Sequence, residues 1–338
     1  MIETDIIIIG AGPVGLFTVF EAGLLKLRCH LIDALPIPGG QCSEIYPKKP
    51  IYDIPAYPEI LAGDLIQNLM KQIEPFKPGF TLGEPAVDLD KGADGQFIVT
   101  TKQGTKHKAP IVAIAGGLGV FIPRRPKIDN LKNFEDKGIA YFIKDPVKYK
   151  DQKVVISGGG DSALDWAIFL GENQYAADVT LIHRTENFRA HPDSVQKAMD
   201  LAAVGKIKMH LNSEVYNISG NGKLNQVIVK QKNDKDFSID TNHWLPLFGL
   251  TPKLGPIGNW GLDIVKNAIK VDNSLDYATN IDGVYAIGDV NTYPGKLKLI
   301  LCGFHEATLM VQSAFKKIYP DKKNVLKYTT VNGVKGFE

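Results

Sequence analysis

The chain has 338 residues, 44% of them hydrophobic, and a formal net charge of +2. That is long enough for two domains of ordinary size, and a charge so near zero argues neither for nucleic acid nor for a membrane surface. No segment reaches the ~18 apolar residues of a spanning helix, and no secretory leader precedes the first hydrophobic run, which begins beside Glu3 and Asp5; a soluble, cytoplasmic protein is expected.

Asp5 to Ile9 is a short, continuous apolar run of the kind buried on both faces of a parallel sheet. Gly10-Ala11-Gly12-Pro13-Val14-Gly15 follows at GxGxxG spacing. In that pattern Gly10 permits the tight turn, Gly12 lets a pyrophosphate approach the backbone, and Gly15 lets the helix pack on the strand. The helix is expected from Pro13 to Leu24, its N-terminal dipole facing the phosphates. A second strand, Cys29 to Ile32, ends at Asp33, where an acid would hold a ribose hydroxyl. A purely structural glycine turn is the competing reading, and the acid at the strand end counts against it.

The first segment runs to a strand at Ile111 to Ala115 and a glycine turn at Gly116-Gly117. Pro123 and Pro126 flank Arg124-Arg125 in a connector, since prolines resist regular structure there. Val154 to Ser157 is the next strand, and Gly158-x-Gly160-x-x-Ala163, with Asp161 and Ser162, opens a helix expected to run from Ser162 to Leu170. This second loop predicts a second dinucleotide. The following strand, Val179 to Ile182, ends in His183-Arg184, with Arg189 five residues on. An acid there would repel a 2′-phosphate, whereas arginine accepts it, so NADP is expected over NAD; a solvated surface pair is the alternative. A second connector lies around Pro246 to Pro252. Gln96 to Thr100 and Gln226 to Lys230 alternate apolar and polar positions, as strands of small antiparallel sheets do.

In the C-terminal part, Thr279 to Asp289 reads as a turn, a short buried strand and an aspartate at the strand end, and a helix is expected from His305 to Ile318. The cysteines Cys29, Cys42 and Cys302 form neither a CxxC nor a CxxxxC pair, so no local redox disulfide is possible. Cys42 is expected to be a buried small residue, with a thiol sensor as the alternative.

Several stretches together resemble one family. They are GAGPVGLFT at Gly10 to Thr18, GGQxxxxYP at Gly39 to Pro47, GGGDSALDWA at Gly158 to Ala167, FRAH at Phe188 to His191, LGPIxNWGLDI at Leu254 to Ile264, and a tail beyond the last helix. With every disulfide motif missing, the chain resembles the ferredoxin/flavodoxin–NADP reductases of the thioredoxin-reductase-like type. The resemblance implies an α/β fold of two Rossmann-like three-layer dinucleotide-binding domains: a discontinuous FAD-binding domain, 1–120 and 248–338, and an NADP-binding domain, 121–247. It implies FAD and NADP(H) as cofactors, ferredoxin or flavodoxin as partner, and a homodimer. It also implies hydride delivery to the flavin N5 followed by single-electron transfer, chemistry that the flavin carries without a protein acid or base. No metal is expected.

The same resemblance assigns roles. Asp33 would bind the adenosine ribose, Gln41 the flavin side, and Val87 the adenine through its backbone. Tyr46 would stack on one isoalloxazine face and Tyr328 on the other. Phe121 would line the cofactor, Asp289 would hold the ribityl chain, and Thr330 would reach the ring. Gly158, Gly160, Asp161, Ser162, Ala163, His183, Arg184 and Arg189 would form the NADP site. The box His183-Arg184-Thr185-x-x-Phe188-Arg189-Ala190 departs from the family's HRRxxFRA at Thr185, which softens the expected preference. His305, where the family commonly has glycine, would either tune the flavin from the helix N-terminus or serve as an ordinary capping-turn residue. Lys48-Lys49, Arg124-Arg125, Lys316-Lys317 and Lys322-Lys323 are candidate docking cations for an acidic ferredoxin, or simply solvated surface. The rival activities are an NADPH-dependent flavin or quinone diaphorase and a non-catalytic flavin redox sensor.

Overall fold

A computed structural model describes residues 1–119, 122–172, 175–232, 234–251, 253–322 and 329–337. The chain divides into two compact units, Met1–Val120 with Pro252–Glu338, and Phe121–Thr251. The α-helices among the described residues are α1 (Pro13–Leu24), α2 (Gln41–Glu44), α3 (Ala62–Ile73), α4 (Asp161–Glu172), α5 (Pro192–Ala203), α6 (Ile300–Ile318) and α7 (Thr329–Asn332). No helix among those residues is long and apolar enough to cross a membrane.

The first unit is built on a five-stranded parallel sheet in the order Val284–Ala286, Ile111–Ile114, Ile6–Ile9, Cys29–Asp33, Gly79–Leu82. Ile6–Ile9 is the middle strand and is buried at every position, which is why its sequence shows no alternation. The strand Val284–Ala286 arrives from the returning segment, so the sheet cannot be completed until the second unit has been traversed. Helix α1 packs against α3 and α6. Its contact with α6 is close because Gly303 lies against Val14; a Cβ at Gly303 would collide with the Val14 side chain. A smaller sheet pairs Ala86–Lys91, Phe97–Thr101 and Lys106–Ala109 antiparallel. Phe97–Thr101 alternates between buried and half-buried positions, the pattern its sequence announces.

One polar contact joins these two sheets. The Thr81 hydroxyl, on the parallel sheet, lies 2.8 Å from His30 Nε2 on the neighbouring strand and 2.9 Å from His107 Nε2 on the antiparallel sheet. The two imidazoles are 4.7 Å apart. Burial, and then the proximity of His107, lowers His30 to about 4; burial likewise lowers His107.

The second unit has a four-stranded parallel sheet in the order Lys208–His210, Asp178–Ile182, Lys153–Ser157, His243–Pro246, and an antiparallel sheet of Ser213–Gly220, Leu224–Gln231 and Phe237–Asp240. Fully buried Trp244 donates its indole N–H to Ser157 Oγ at 2.8 Å, which satisfies both polar groups inside the core. Ile122–Pro123 and Leu250–Thr251 pair antiparallel, so the segments entering and leaving this unit are tied to each other.

The histidine contact gives a pH dependence. His30 is held neutral in the fold down to about pH 4, whereas an unfolded histidine takes up its proton near 6.5. Between those values the unfolded chain binds more protons, so the stabilisation is complete above pH 6.5 and is lost as pH falls towards 4, to an extent of about 3 kcal/mol. Thermal melts from pH 7 to pH 4 should show this decline, and His30→Asn should flatten it; an unchanged slope in that variant would remove His30 as the cause.

Candidate functional site: two glycine cradles

In the first cradle the glycines do unlike things. A Cβ at Gly10 would collide with Ala115 O and one at Gly15 with Gly10 O, so both positions are closed by the fold itself. At Gly12 a Cβ would meet nothing within 4 Å. The bare face of the loop is therefore open at the one glycine meant for a pyrophosphate, in front of the first turn of α1. The segment Gly39-Gly40 closes over this loop: Gly39 N donates to Ala11 O at 2.8 Å, and a Cβ on Gly40 would lie 3.3 Å from Gly12 Cα. Gly40 has φ +56°, a left-handed geometry suited to glycine, and it turns the chain into α2, which Gln41 begins.

Asp33 accepts from Ala11 N at 2.6 Å through one carboxylate oxygen and from Leu35 N at 2.8 Å through the other, and Ala34 is a further backbone donor. Burial raises its carboxyl above the ordinary value, and these backbone donors offset part of that. Asp289 is half-buried and has no hydrogen-bond partner among the described residues. Burial raises its carboxyl too, while Lys296 and Lys298 pull it down. A half-buried carboxylate without a protein donor is a group that a ligand hydroxyl would satisfy. Its charge is felt at Cys42 and Tyr46, whose thiol and hydroxyl are hydrogen-bonded to each other. Burial pushes the Cys42 thiol up to about 11, and Cys42 is the buried small residue expected of it. Lys49 Nζ stands 5.9 Å from the Tyr46 ring centroid. The structure thus brings Gly12, Asp33 and Gln41 to one loop and sets Tyr46 within the field of Asp289.

The turn that carries Asp289 is fixed by a residue the sequence reading passed over. Glu306, on α6 and wholly buried, accepts from Gly288 N at 2.7 Å, Asn291 Nδ2 at 2.9 Å and Tyr293 OH at 2.9 Å, and pairs with buried Lys296. The signal was available: the buried stripe of α6 runs Gly303, Glu306, Ala307, Met310, Val311, Ala314, and a glutamate on such a stripe needs partners. The helix begins at Ile300 rather than at His305, because nothing in Ile300 to Phe304 breaks it. His305 is therefore exposed in the second turn and does not occupy the N-terminus where flavin tuning was expected.

The second cradle repeats the first. A Cβ at Gly158 would meet Leu247 O at 2.6 Å and Ala163 Cβ at 2.8 Å, whereas at Gly160 it would meet nothing within 4 Å. Ala163 is fully buried beneath the loop, and Ser162 is exposed in the first turn of α4. Asp161 Oδ1 accepts from His191 N at 2.8 Å and Gly159 O from Arg189 N at 2.7 Å, so the loop itself positions Arg189. His183 packs on Gly159, stacks on Phe188 at 4.9 Å and 19°, and has Nε2 3.1 Å from both Thr185 Oγ1 and Asn187 O. Burial, with smaller contributions from Arg184 and Arg189, lowers its pKa. A cavity of about 460 Å³ opens beside these groups, lined by Gly158, Gly159, His183, Arg184 and Arg189 among others. That volume and its cationic wall suit one half of a dinucleotide.

Other predicted residues are less tightly gathered. Val87 lies at a register shift between Ala86 and Asp88, and its carbonyl accepts from Trp260 Nε1 at 2.9 Å. Thr330 is exposed on α7 and makes no hydrogen bond to the other predicted flavin residues among those described. Phe121 and Tyr328 lie outside the described residues. Of the basic pairs, Lys317 is joined to Asp282 and Lys322 lies 3.6 Å from the Tyr319 ring centroid. No group of three or more metal-ligating side chains occurs among the described residues.

Glu306 yields a direct expectation. Glu306→Ala would leave Lys296 charged and buried without its partner, a change that costs about 3–5 kcal/mol. Urea unfolding should register that loss, and the variant should release cofactor more readily on gel filtration; a variant as stable as the parent would mean that the pair is not coupled to the fold.

The family profile of the pyridine nucleotide-disulphide oxidoreductases matches residues 4–312. Ferredoxin–NADP reductase 2 of Christiangramia forsetii is 67% identical over 341 residues, spanning 100% of this chain and 96% of that protein. The ferredoxin–NADP reductase of Flavobacterium johnsoniae is 63% identical over 338 residues, again spanning 100% and 96%. Among solved structures, the thioredoxin reductase of T. acidophilum is similar with a TM-score of 0.81 at 22% identity, covering 94% of this chain and 99% of that one, a likeness of fold alone. That fold is the two-domain α/β architecture of thioredoxin-reductase-like flavoproteins. With two-thirds of its residues shared along its whole length, the chain belongs to the pyridine nucleotide-disulphide oxidoreductase family and, within it, to the ferredoxin–NADP reductases.

Proposed function

We propose that this enzyme passes electrons between NADPH and ferredoxin through bound FAD, with FAD in the first cradle and NADP(H) in the second. FAD and NADP(H) are the cofactors of the family to which the chain belongs. The observation that carries the assignment of sites is the pair of loops in which only the middle glycine, Gly12 or Gly160, is left open. The strand ends then divide the two cofactors: a carboxylate, Asp33, suits a free ribose hydroxyl, and Arg184 with Arg189 suits a 2′-phosphate.

When bound, FAD supplies the conversion between a two-electron hydride donor and a one-electron carrier. The chain's own residues bind and orient. The Gly12 face and the α1 N-terminus hold the pyrophosphate, Asp33 the ribose, and Asp289 the ribityl hydroxyls. Gln41 and Tyr46 flank the ring system, and the Val87 N–H is offered to the adenine. Thr330 and the aromatic residues Phe121 and Tyr328 belong to this proposal through the family resemblance alone. No protein acid or base is needed at the reacting atoms, and the free cysteines, Cys29 and Cys42 both buried, offer no disulfide to relay electrons. The same resemblance supports flavodoxin as an alternative carrier, a homodimeric assembly and a cytoplasmic location.

The test is anaerobic stopped-flow reduction by NADPH and by NADH, followed by mixing with oxidised ferredoxin. NADPH-preferring bleaching of the flavin and fast passage to ferredoxin are expected; fast bleaching with no passage to ferredoxin or flavodoxin would leave a diaphorase instead. Asp289→Ala should weaken FAD retention roughly tenfold or more, a loss of at least one charge-assisted hydrogen bond, as read by release of free flavin fluorescence.

A further inference from the structure

The departure at Thr185 leaves the second cradle one arginine short of the family's box, and Thr185 itself is committed elsewhere. Its hydroxyl bonds to Asn187 O at 3.1 Å and lies 3.1 Å from His183 Nε2, so it braces the imidazole and brings no charge. The imidazole is no substitute, because burial lowers its pKa. The cavity beside Arg184 and Arg189 has another source of charge. Arg124 and Lys127, from the segment that follows Ile122–Pro123, line the same cavity. With Arg184 and Arg189 they make four cations in its wall, against the single carboxylate of Glu214.

The two arginines of the connector are used differently. Arg125 is engaged: its Nε is 3.4 Å from Glu135 Oε1 and its guanidinium lies 5.6 Å from the Tyr141 ring centroid. Arg124 is exposed and has no ion pair among the described residues. Its backbone is anchored, with the N–H donating to Gly249 O at 3.1 Å. An anchored backbone with an unpaired guanidinium at a cationic cavity is the arrangement of a phosphate-binding arginine. The cavity is bounded by the end of the strand Asp178–Ile182 and by Ser213 to Tyr216, and Gly160 is not part of its wall. It therefore sits away from the open pyrophosphate face and on the side of Arg184.

We infer that Arg124 is a specificity-determining residue that binds the 2′-phosphate of NADP(H) and replaces the arginine missing at Thr185. The inference rests on the reading of the second cradle as the NADP(H) site. It makes the connector arginine part of the nucleotide site rather than a docking cation for ferredoxin.

The test uses the FAD-loaded enzyme and two fragments that carry no nicotinamide, 2′,5′-ADP and 5′-ADP, with binding measured by calorimetry at fixed ionic strength. Arg124→Ala should weaken 2′,5′-ADP by roughly tenfold and leave 5′-ADP nearly unchanged. Arg124→Lys should recover part of the loss, and Arg125→Ala, which removes the same charge from the neighbouring position, should bind both fragments as the parent does. Equal affinity of Arg124→Ala and parent for 2′,5′-ADP, or an equal loss for both fragments, would overturn the inference while leaving the site intact. A parent enzyme that binds neither fragment would overturn the reading of the cradle itself, and the role of Arg124 with it.

Discussion

Glu306 has no exposed surface, yet it carries a carboxylate into the core of the first unit, and the arrangement of that unit follows from how the charge is answered. A buried carboxylate is tolerated only when it is paired and hydrogen-bonded. Here four donors converge on it: a backbone amide at Gly288, an amide side chain at Asn291, a phenol at Tyr293 and the Lys296 ammonium. All four come from one short stretch of chain, so satisfying Glu306 shapes that whole stretch. Asp289 is the next residue after the first donor and inherits its position. One turn earlier on the same buried face, Gly303 lets α6 approach Val14, which lies inside the first glycine loop. One charge and one missing side chain, a single helical turn apart, thus bring the turn of Asp289 and the first glycine loop into the same neighbourhood.

The two cradles show how a single local solution serves two cofactors. In each, the first glycine is closed by a carbonyl from a neighbouring strand end, Ala115 or Leu247, and the third position packs the helix on its strand. Only the middle glycine faces open space. What differs between the two is the residue that stands at the end of the next strand. Asp33 there is drawn into the loop by Ala11 N, whereas His183 is drawn against Gly159, with Arg184 the next residue. The same topological position therefore holds an acid bonded to its loop in one unit and an imidazole packed on its loop in the other.

Legibility followed distance along the chain. The strands Ile6–Ile9 and Cys29–Asp33, the helix α1 to its last residue, and both glycine loops were readable, because a loop of six residues between a buried strand and a helix carries its geometry locally. The burial of Cys42 was also readable, because a free cysteine packs as a small apolar residue. The start of α6 was not: a histidine with capping potential suggested His305, whereas apolar Ile300 to Phe304 simply extends the helix under tertiary packing. Glu306 was missed because charge on a helix reads by default as surface, and its four donors lie 10 to 18 residues upstream. The His30–Thr81–His107 contact spans 77 residues and two sheets, and no local pattern announces it.

By itself the sequence shows two glycine loops, each between an apolar strand and a helix, an acid at the end of the strand after the first, an arginine at the end of the strand after the second, and no paired cysteines. These follow from short-range rules: glycine where backbone must be bare, opposite charge where phosphate must be held, paired cysteines where a disulfide must form. The tertiary structure alone decided which charges are free to act. It withdrew Arg125 to Glu135 and left Arg124 at the cavity, buried Glu306 and Lys296 as a pair, and left Asp289 without a hydrogen-bond partner among the described residues. The physical reason is that a charge acts on a ligand only when the fold has not already neutralised it, and its neutralising partner is chosen by proximity in space, which sequence separation does not encode.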